Sequence, residues 1–378
     1  MIYLDYASTT PVDPQVAQAM SGALMLTGQF ANPASVHALG WQAREAVEKA
    51  RRQVARAIGC EAREVVWTSG ATESDNLAVL GVIRHALKSG PVHLITSTIE
   101  HKAVLDAAKQ AELEGASVTY LSPQTSGRVE PDQVADAVTP DTVLVSLMHL
   151  NNEVGAVNDL AGIRAVLPDS VLLHTDAAQS KGKVAQWDVA SLQVDMASFS
   201  AHKTYGPKGM GALFVRRGLE ARLQPLQFGG GHERGLRSGT LPTHQIVGMG
   251  ASYALADELH ASDHEHYALL RQKALSGVAA IGGVLNGESD VPTLINVHFP
   301  GCDAEVLMSS LPDVCVSSGS ACNSADVSPS HVLMGMGLGR ERALSSIRIS
   351  WGRFSTLADM DAFLDQLGRS VTQLGQRK

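Results

Sequence analysis

VHLIT, residues 92–96, is the first of four apolar runs that determine the fold class of this chain. The other three are SVTYL (117–121), TVLVSLM (142–148) and VLLHT (171–175), and a helical or loop segment separates each run from the next. Short β-branched runs that alternate with helical segments are typical of a mostly parallel sheet covered by helices. The sequence therefore predicts an α/β fold.

The same pattern continues on both sides of these runs. Upstream, apolar residues at three- and four-residue steps predict a helix over Val36–Ile58, which Gly59 ends. A short apolar run at Val65–Trp67 then leads into TSGAT and a second helix that reaches about Leu87. Downstream, DMASFS and GALFV flank a Gly/Pro-rich turn, and a further helix is expected from about Thr243 to Leu259.

A charged, His-rich stretch, DELHASDHEHY, follows that helix and indicates a domain boundary. With 378 residues the chain is too long for one compact core. We expect a large domain over residues 16–260, and a smaller α+β domain formed by residues 1–15 together with 261–378.

The composition argues against several classes of function. The formal net charge is −8 and no long Lys/Arg run is present, so neither nucleic acid nor a membrane surface is an expected partner. Four cysteines are scattered at positions 60, 302, 315 and 322, which fits neither a disulfide framework nor a metal site. The start of the chain lacks a signal-peptide pattern and no apolar stretch reaches ~18 residues, so a cytoplasmic protein is expected.

Polar groups follow several of the strand-like runs, where ligands bind in open α/β sheets. The first such segment is TSGATESDN, residues 68–76. Gly70 and Ala71 are small enough for close backbone approach, and Thr72 with Asp75 has the spacing of a capping box that opens a helix. Free N–H groups at a helix start suit a phosphate. An ordinary capped helix start is an equally good interpretation.

The second segment is HTDAAQS, residues 174–180, in which Asp176 directly follows a predicted strand. A carboxylate at this point could hold a protonated ring nitrogen through a charge-assisted hydrogen bond. Gln179 could reach a neighbouring oxygen. A helix-capping role for Asp176 remains an alternative.

The third segment is SFSAHKTYGPKG, residues 198–209, in which Ser200 and His202 accompany Lys203. An amine near cationic groups has a lowered pKa and becomes a nucleophile that can form an imine. A single loop lysine is usually only solvated, but these neighbours favour a chemical role.

The fourth segment is SSGSACNSADVSP, residues 317–329. Its small and polar residues cannot pack a core around Cys322, although a structural cysteine normally has apolar neighbours. An exposed, mobile thiol is what a nucleophile that travels to its substrate requires. We therefore predict that Cys322 is reactive.

Taken together, these segments resemble the cysteine desulfurases of the NifS/IscS type, in the fold-type I, class V aminotransferase group. The resemblance runs almost from end to end. The matching stretches are YLDYASTTPVD, TSGATESDNLA, IEHKAVLD, HLNNEVG, DAAQS, SFSAHKTYGPKGMGALFVRR, GGGHERGLRSGTLPTHQIVG, SSGSACNSA and SSIRISWGRFS.

The resemblance implies pyridoxal 5′-phosphate as the cofactor, bound covalently by Lys203. Asp176 would pair with the ring nitrogen, so that the ring remains an electron sink. His101 would stack on the ring and carry a proton, while Asn152 and Gln179 would lie near the ring and its phenolic oxygen. No metal site is implied.

The resemblance also implies which residues bind the cofactor phosphate and the substrate, and that a second subunit takes part. Thr240 would reach the phosphate of the cofactor bound in the other subunit, which implies a homodimer with shared sites. Arg348 would clamp the carboxylate of L-cysteine, a task suited to a planar guanidinium. The implied phosphate cradle consists of Ala71, Thr72, Ser200 and His202.

The implied reaction converts L-cysteine to L-alanine and leaves the sulfur as a persulfide on Cys322. A sulfur-acceptor protein would then receive it, for iron–sulfur cluster assembly or a thio-modification. The chain lacks the C-terminal extension with which housekeeping members dock a scaffold protein, so the acceptor stays open.

Two other functions remain as alternatives. A selenocysteine lyase or another class V enzyme should not need Cys322 in the same way, and a catalytically silent sulfur carrier should not bind the cofactor. The joint presence of Lys203, Asp176, His101 and Cys322 argues against the silent carrier.

Overall fold

A computed structural model describes residues 1–184, 187–319 and 328–375. The helices are α1 Pro14–Leu24, α2 Ala38–Ile58, α3 Ala71–Ala86, α4 Lys102–Leu113, α5 Pro131–Ala137, α6 Leu160–Val166, α7 Val189–Leu192, α8 Thr243–Glu258, α9 His260–Ala280, α10 Ala304–Ser309, α11 His331–Gly335, α12 Arg340–Leu344 and α13 Leu357–Gly375. The strands are β1 Ile2–Tyr3, β2 Val65–Thr68, β3 His93–Ser97, β4 Ser117–Leu121, β5 Thr142–Ser146, β6 Leu172–Asp176, β7 Met196–Ser200, β8 Gly211–Val215, β9 Val284–Leu285, β10 Leu294–His298, β11 Val314–Cys315 and β12 Ser346–Ser350.

The main sheet has seven strands in the order β2-β8-β7-β6-β5-β3-β4. The strands of the four apolar runs, β3, β4, β5 and β6, pair in parallel, and β6 pairs in parallel with β7. Only β8 runs against its neighbours β2 and β7. The predicted α/β fold with a mostly parallel sheet is therefore confirmed.

Both faces of the main sheet are buried beneath helices. Every residue of β2, β3, β6, β7 and β8 is buried, as expected for strands covered on both sides. One apolar cluster packs α2 and α8 against the sheet, with Val54, Trp67 and Met249 among its members. A second cluster joins α3 and α4 to the sheet through residues such as Leu80 and Ala107.

A smaller group of elements surrounds a three-stranded antiparallel sheet of order β12-β10-β9. Its own core includes Tyr267, Phe299, Trp351 and Phe363, which come from α9, the β10 end, the segment after β12 and α13. Strand β1 pairs in parallel with β11, so the start of the chain lies beside this group. The division at residue 260 stays a prediction; Leu259 alone separates α8 from α9.

The N-terminal segment after β1 connects this smaller sheet to the loop that follows β7. Asp5 forms a β-bridge with Ser350 of β12. Farther along, the Thr10 amide donates to the His202 carbonyl at 2.9 Å and the Asp13 amide donates to the Tyr205 carbonyl at 3.0 Å. This segment therefore brings residues 5–10 against Lys203. In the described part of the chain, no helix has the length and apolarity that a bilayer span requires.

Candidate functional site

A cavity of about 740 Å³ opens at the carboxyl ends of the main-sheet strands. This is the edge at which the strand-end rule places ligands. Ten of the twelve predicted site residues line this one cavity, although the segments that carry them are far apart in the chain: Ala71, Thr72, His101, Asn152, Asp176, Gln179, Ser200, His202, Lys203 and Arg348.

Lys203 follows β7, and two main-chain carbonyls hold its amine. Its Nζ donates to the Ala7 oxygen at 2.7 Å and to the Ser8 oxygen at 2.5 Å. The amine thus faces the cavity from a fixed position. Sequence reasoning could not identify Ala7 and Ser8 by type, because a carbonyl contact leaves no residue signature, although their stretch is among the matching ones.

The start of α3 forms another wall of the cavity. The helix begins at Ala71, and Gly70 at the N-cap has a φ of 156°, a conformation that favours glycine. The first amides of a helix lack intrahelical partners and, with the helix dipole, suit an anion. Ser200 adds a hydroxyl that is buried and has no hydrogen-bond partner among the described residues. The predicted phosphate cradle fits this wall.

The predicted capping box at Thr72 and Asp75 is wrong. The N-cap is Gly70, and no side-chain hydrogen bond caps the helix. Asp75 is instead fully buried against the sheet, with a carboxyl oxygen 3.7 Å from Nε2 of His174. Burial, followed by the charge of Asp176, raises the pKa of Asp75 well above its usual range. Asp75 therefore belongs to the packing beneath the cavity.

Asp176 ends β6 at the floor of the cavity. Burial raises the pKa of its carboxyl, while His101 and Lys203 oppose that shift. One carboxyl oxygen accepts the Ala178 amide at 2.9 Å and so stabilises the turn that follows, but no helix begins at this point of the described chain, so the alternative of a helix cap is wrong. A cation placed against the carboxyl would favour its ionised form. This environment suits a protonated ring nitrogen.

His101 caps the N-terminus of α4 and faces the same cavity. Its Nδ1 accepts the Ala103 amide at 3.2 Å, so the neutral ring carries its proton on Nε2. Burial lowers the pKa of His101, with a further lowering by Lys203 that Asp176 opposes. A neutral His101 with an Nε2 proton is a hydrogen-bond donor.

His202 and Gln179 complete the wall beside Lys203. The Nδ1 atom of His202 lies 3.1 Å from the Thr9 hydroxyl, and burial together with Lys203 lowers its pKa to about 4. Gln179 is buried, and its Nε2 donates to the Ala7 carbonyl at 2.7 Å. The Ala7 carbonyl oxygen therefore accepts hydrogen bonds from both Gln179 and Lys203.

Arg348 of β12 brings a guanidinium from the smaller sheet into the cavity. Its Nη2 lies 2.8 Å from an Asp5 carboxylate oxygen, and its Nη1 donates to the Asn152 carbonyl at 3.0 Å. The Nε atom is buried and has no hydrogen-bond partner in the described ranges. The residue predicted to bind a carboxylate thus already faces one.

Two predicted residues do not line the cavity in the described structure. Thr240 is exposed outside it, on a loop that Arg237 anchors to Glu73 of α3 at 2.8 Å. Cys322 lies outside the described residues. The nearest described residues on its two sides, Gly319 and Ser328, both line the cavity.

Further titratable residues line the cavity, and Glu153 and His331 are two that sequence reasoning missed. Glu153 is fully buried, and burial raises the pKa of its carboxyl, which accepts the Ser330 hydroxyl. His331 opens α11 and its Nε2 lies 2.9 Å from the Glu100 carbonyl. His331 lies two residues beyond the predicted cysteine segment and Glu153 lies within the matching stretch HLNNEVG, and these positions were the available signals.

Comparison with known proteins agrees with this geometry. The Aminotransferase class-V family matches residues 2–363. The chain is similar to the cysteine desulfurase IscS of Pseudomonas putida (strain W619), at 52% identity over 378 residues that cover 99% of this chain and 93% of that protein.

Two solved structures share the fold. A NifS-like protein superposes with a TM-score of 0.91 at 34% identity, covering 98% of this chain and 99% of its own. SspA in complex with cysteine gives a TM-score of 0.83 at 38% identity, covering 94% of this chain and 100% of its own. The fold-type I expectation is confirmed. The chain therefore belongs to the class-V aminotransferase family and, within it, to the pyridoxal-phosphate-dependent cysteine desulfurases.

Proposed function

We propose that this chain binds pyridoxal phosphate on Lys203 and transfers the sulfur of L-cysteine to Cys322 as a persulfide. The observation that carries the proposal is the convergence of Lys203, Asp176 and the start of α3 on one cavity. When bound, the cofactor withdraws electrons from the substrate and so weakens the bonds around its α-carbon. The remaining steps are performed by residues of the chain.

Cofactor binding involves the start of α3 with Ser200, Lys203, and Asp176 at the end of β6. The α3 amides and the Ser200 hydroxyl hold the phosphate, and Asp176 pairs with the ring nitrogen. The raised pKa of the buried Asp176 carboxyl supports this role, because a cation is what restores its charge. The Lys203 amine, which the Ala7 and Ser8 carbonyls hold, would bind the cofactor, and its nitrogen would then keep at most one of these two contacts because it would have at most one hydrogen.

Lys203 moves the proton of the substrate, and His101 contributes a hydrogen bond. Once the substrate amine displaces it, Lys203 becomes a free base beside the substrate and takes the α-proton. His101 holds its own proton on Nε2, because Nδ1 is engaged by the Ala103 amide. We therefore assign neutral His101 as a hydrogen-bond donor to the reacting groups, and the proton that Lys203 takes up is the one available to return to carbon.

Sulfur transfer needs no outside oxidant. The Cys322 thiolate attacks the substrate sulfur, so a sulfur–sulfur bond forms as the carbon–sulfur bond breaks. The electron pair of the broken bond stays with carbon, which takes a proton to give L-alanine. Arg348 holds the substrate carboxylate, and a sulfur-acceptor protein then takes the persulfide sulfur, for iron–sulfur cluster assembly or thio-modification in the cytoplasm.

We also propose a homodimer in which Thr240 reaches the partner's site. Thr240 is exposed and lies outside the cavity of its own chain. Exposed apolar side chains occur from the segment after α1 into the first turn of α2, among them Leu26, Phe30 and Trp41. Beside them, α1, α2 and α8 line a mainly apolar groove of about 440 Å³. An apolar surface of this kind favours association with a second copy.

Two variants test the proposed chemistry. Lys203→Ala should lose all borohydride-stable attachment of the cofactor and all turnover. Cys322→Ser should keep the yellow cofactor but release no sulfide, since it lacks the thiol that accepts the sulfur. Alanine formation at the normal rate in Cys322→Ser would count against the persulfide and favour a lyase mechanism.

A further inference from the structure

A buried lysine that the proposed reaction does not use lies beside the cavity. Lys183 is 8% exposed, and its Nζ donates to Oε1 of Gln179. Burial, followed by the charges of Lys203 and Arg348, lowers its pKa well below the usual range. A buried amine is costly unless it makes a specific interaction.

The contacts with Lys183 and with the Ala7 carbonyl together determine which way the Gln179 amide points. The oxygen and nitrogen of a glutamine amide have the same shape but opposite hydrogen-bonding roles. With Oε1 facing the amine, Nε2 faces the Ala7 carbonyl at 2.7 Å. If the amide were reversed, its oxygen would face the Ala7 oxygen, and two acceptors would repel each other.

The chain of contacts ends at the proposed cofactor lysine. The Ala7 oxygen accepts Gln179 Nε2 and Lys203 Nζ, each at 2.7 Å. An amide nitrogen has two hydrogens. One is used on Ala7, and the second remains for an oxygen of a ligand in the cavity that Gln179 lines.

We propose that Lys183 is a positioning residue that locks Gln179 as a hydrogen-bond donor, both to the Ala7 carbonyl that holds Lys203 and to the phenolic oxygen of the cofactor. This inference rests on the proposed function, because it requires a cofactor on Lys203. Lys183 itself touches neither substrate nor cofactor in this role.

The chain contains a matched control two residues away. Lys181 is 7% exposed, and its amine contacts the Ala57 carbonyl and Asp257 outside the main cavity. Lys181→Met and Lys183→Met therefore remove equally buried amines with the same change of side chain. Only the second removes a contact to Gln179.

The test compares holoenzymes of both variants, of Gln179→Ala and of Lys183→Met/Gln179→Ala. Lys183→Met should displace the visible absorbance band and lower kcat about tenfold, which corresponds to about 1.4 kcal/mol, with KM for L-cysteine nearly unchanged. Lys181→Met should keep the wild-type band and kcat, whatever its thermal midpoint. In the Gln179→Ala background Lys183→Met should add nothing, because its effect passes through Gln179.

Three results would overturn the inference: a wild-type band and kcat in Lys183→Met, the same losses in Lys181→Met, or full additivity with Gln179→Ala. Absence of borohydride-stable cofactor on Lys203 in the wild-type protein would overturn the proposed function, and this inference with it. Wild-type attachment with an unaltered Lys183→Met would remove this inference alone.

Discussion

The guanidinium of Arg348, a residue that lines the cavity, lies 2.8 Å from the Asp5 carboxylate. The two residues are 343 positions apart in the chain and come together because β12 lies beside the N-terminal segment. Asp5 thus forms an ion pair with the guanidinium that we propose binds the substrate carboxylate. A bound carboxylate must share Arg348 with Asp5 or replace it.

Arg348→Lys should raise KM for L-cysteine by tenfold or more. Hydrogen bonds to charged groups contribute about 1.5–3 kcal/mol each, and a lysine cannot contact Asp5, Asn152 and a substrate together. Steady-state kinetics measures the change, and the cofactor absorbance should stay at the wild-type level. An unchanged KM would exclude Arg348 from substrate binding.

Asp5→Asn should lower KM for L-cysteine about fivefold, because it removes a competing carboxylate whose ion pair is worth about 1 kcal/mol. The same assay serves, with Asp159→Asn at the remote N-cap of α6 as a control for the lost charge. A rise in KM would mean that Asp5 holds Arg348 in its binding position instead of competing for it.

Glu100→Gln should stabilise the protein progressively as pH rises. Burial raises the pKa of Glu100 to about 8 from 4.5, so its stabilising contribution is complete below about pH 4.5 and is lost as pH rises to 8. Glutamine stays neutral throughout, and the gain at pH 8 approaches about 5 kcal/mol if the full shift is expressed.

Thermal unfolding of wild type and Glu100→Gln between pH 5 and 9 measures this difference. The exposed Glu258 at the end of α8 supplies a control, because Glu258→Gln makes the same change of side chain at the surface. A gain in Glu100→Gln that is the same at every pH would refute the assignment.

Glu233→Ala should destabilise the fold by about 3–5 kcal/mol, the cost of breaking a buried ion pair. Glu233 makes two contacts to the buried Arg51, at 2.7 and 2.8 Å, and accepts the Trp67 amide at 2.8 Å. Glu45→Ala, which breaks the exposed pair with Arg52, should cost less than about 1 kcal/mol. Urea unfolding compares the two, and similar losses would contradict this prediction.

Much of this arrangement could be predicted, because strand-end positions follow directly from hydrophobic pattern. The runs that end near Asp176 and Ser200 predict strands, and parallel strands present their carboxyl ends at one edge. Residue type then indicates the chemistry at that edge. The same reasoning cannot supply the order of the strands or the reversed direction of β8, because both depend on long-range pairing.

The sequence predictions fail where a shift of one residue in the helix start changes which side chains are buried. They also fail where main-chain atoms make the contact. Thr72 and Asp75 have the spacing of a cap, but the helix starts at Ala71, so Asp75 points into the sheet. The Ala7 and Ser8 contacts use carbonyls that every residue possesses. Lys183 resembles a solvated lysine until the fold buries it beside Gln179.

The hydrogen bonds from the Lys203 amine to the Ala7 and Ser8 carbonyls have a consequence for folding during synthesis of the chain. Residues from both ends of the chain line the cavity, since Ala7 and Ser8 face it from the N-terminal segment and Arg348 faces it from β12. During synthesis, the opening strand leaves the ribosome long before β11 and β12 are translated. A half-made chain therefore cannot complete the cavity, and the enzyme gains its chemistry only when translation is nearly finished.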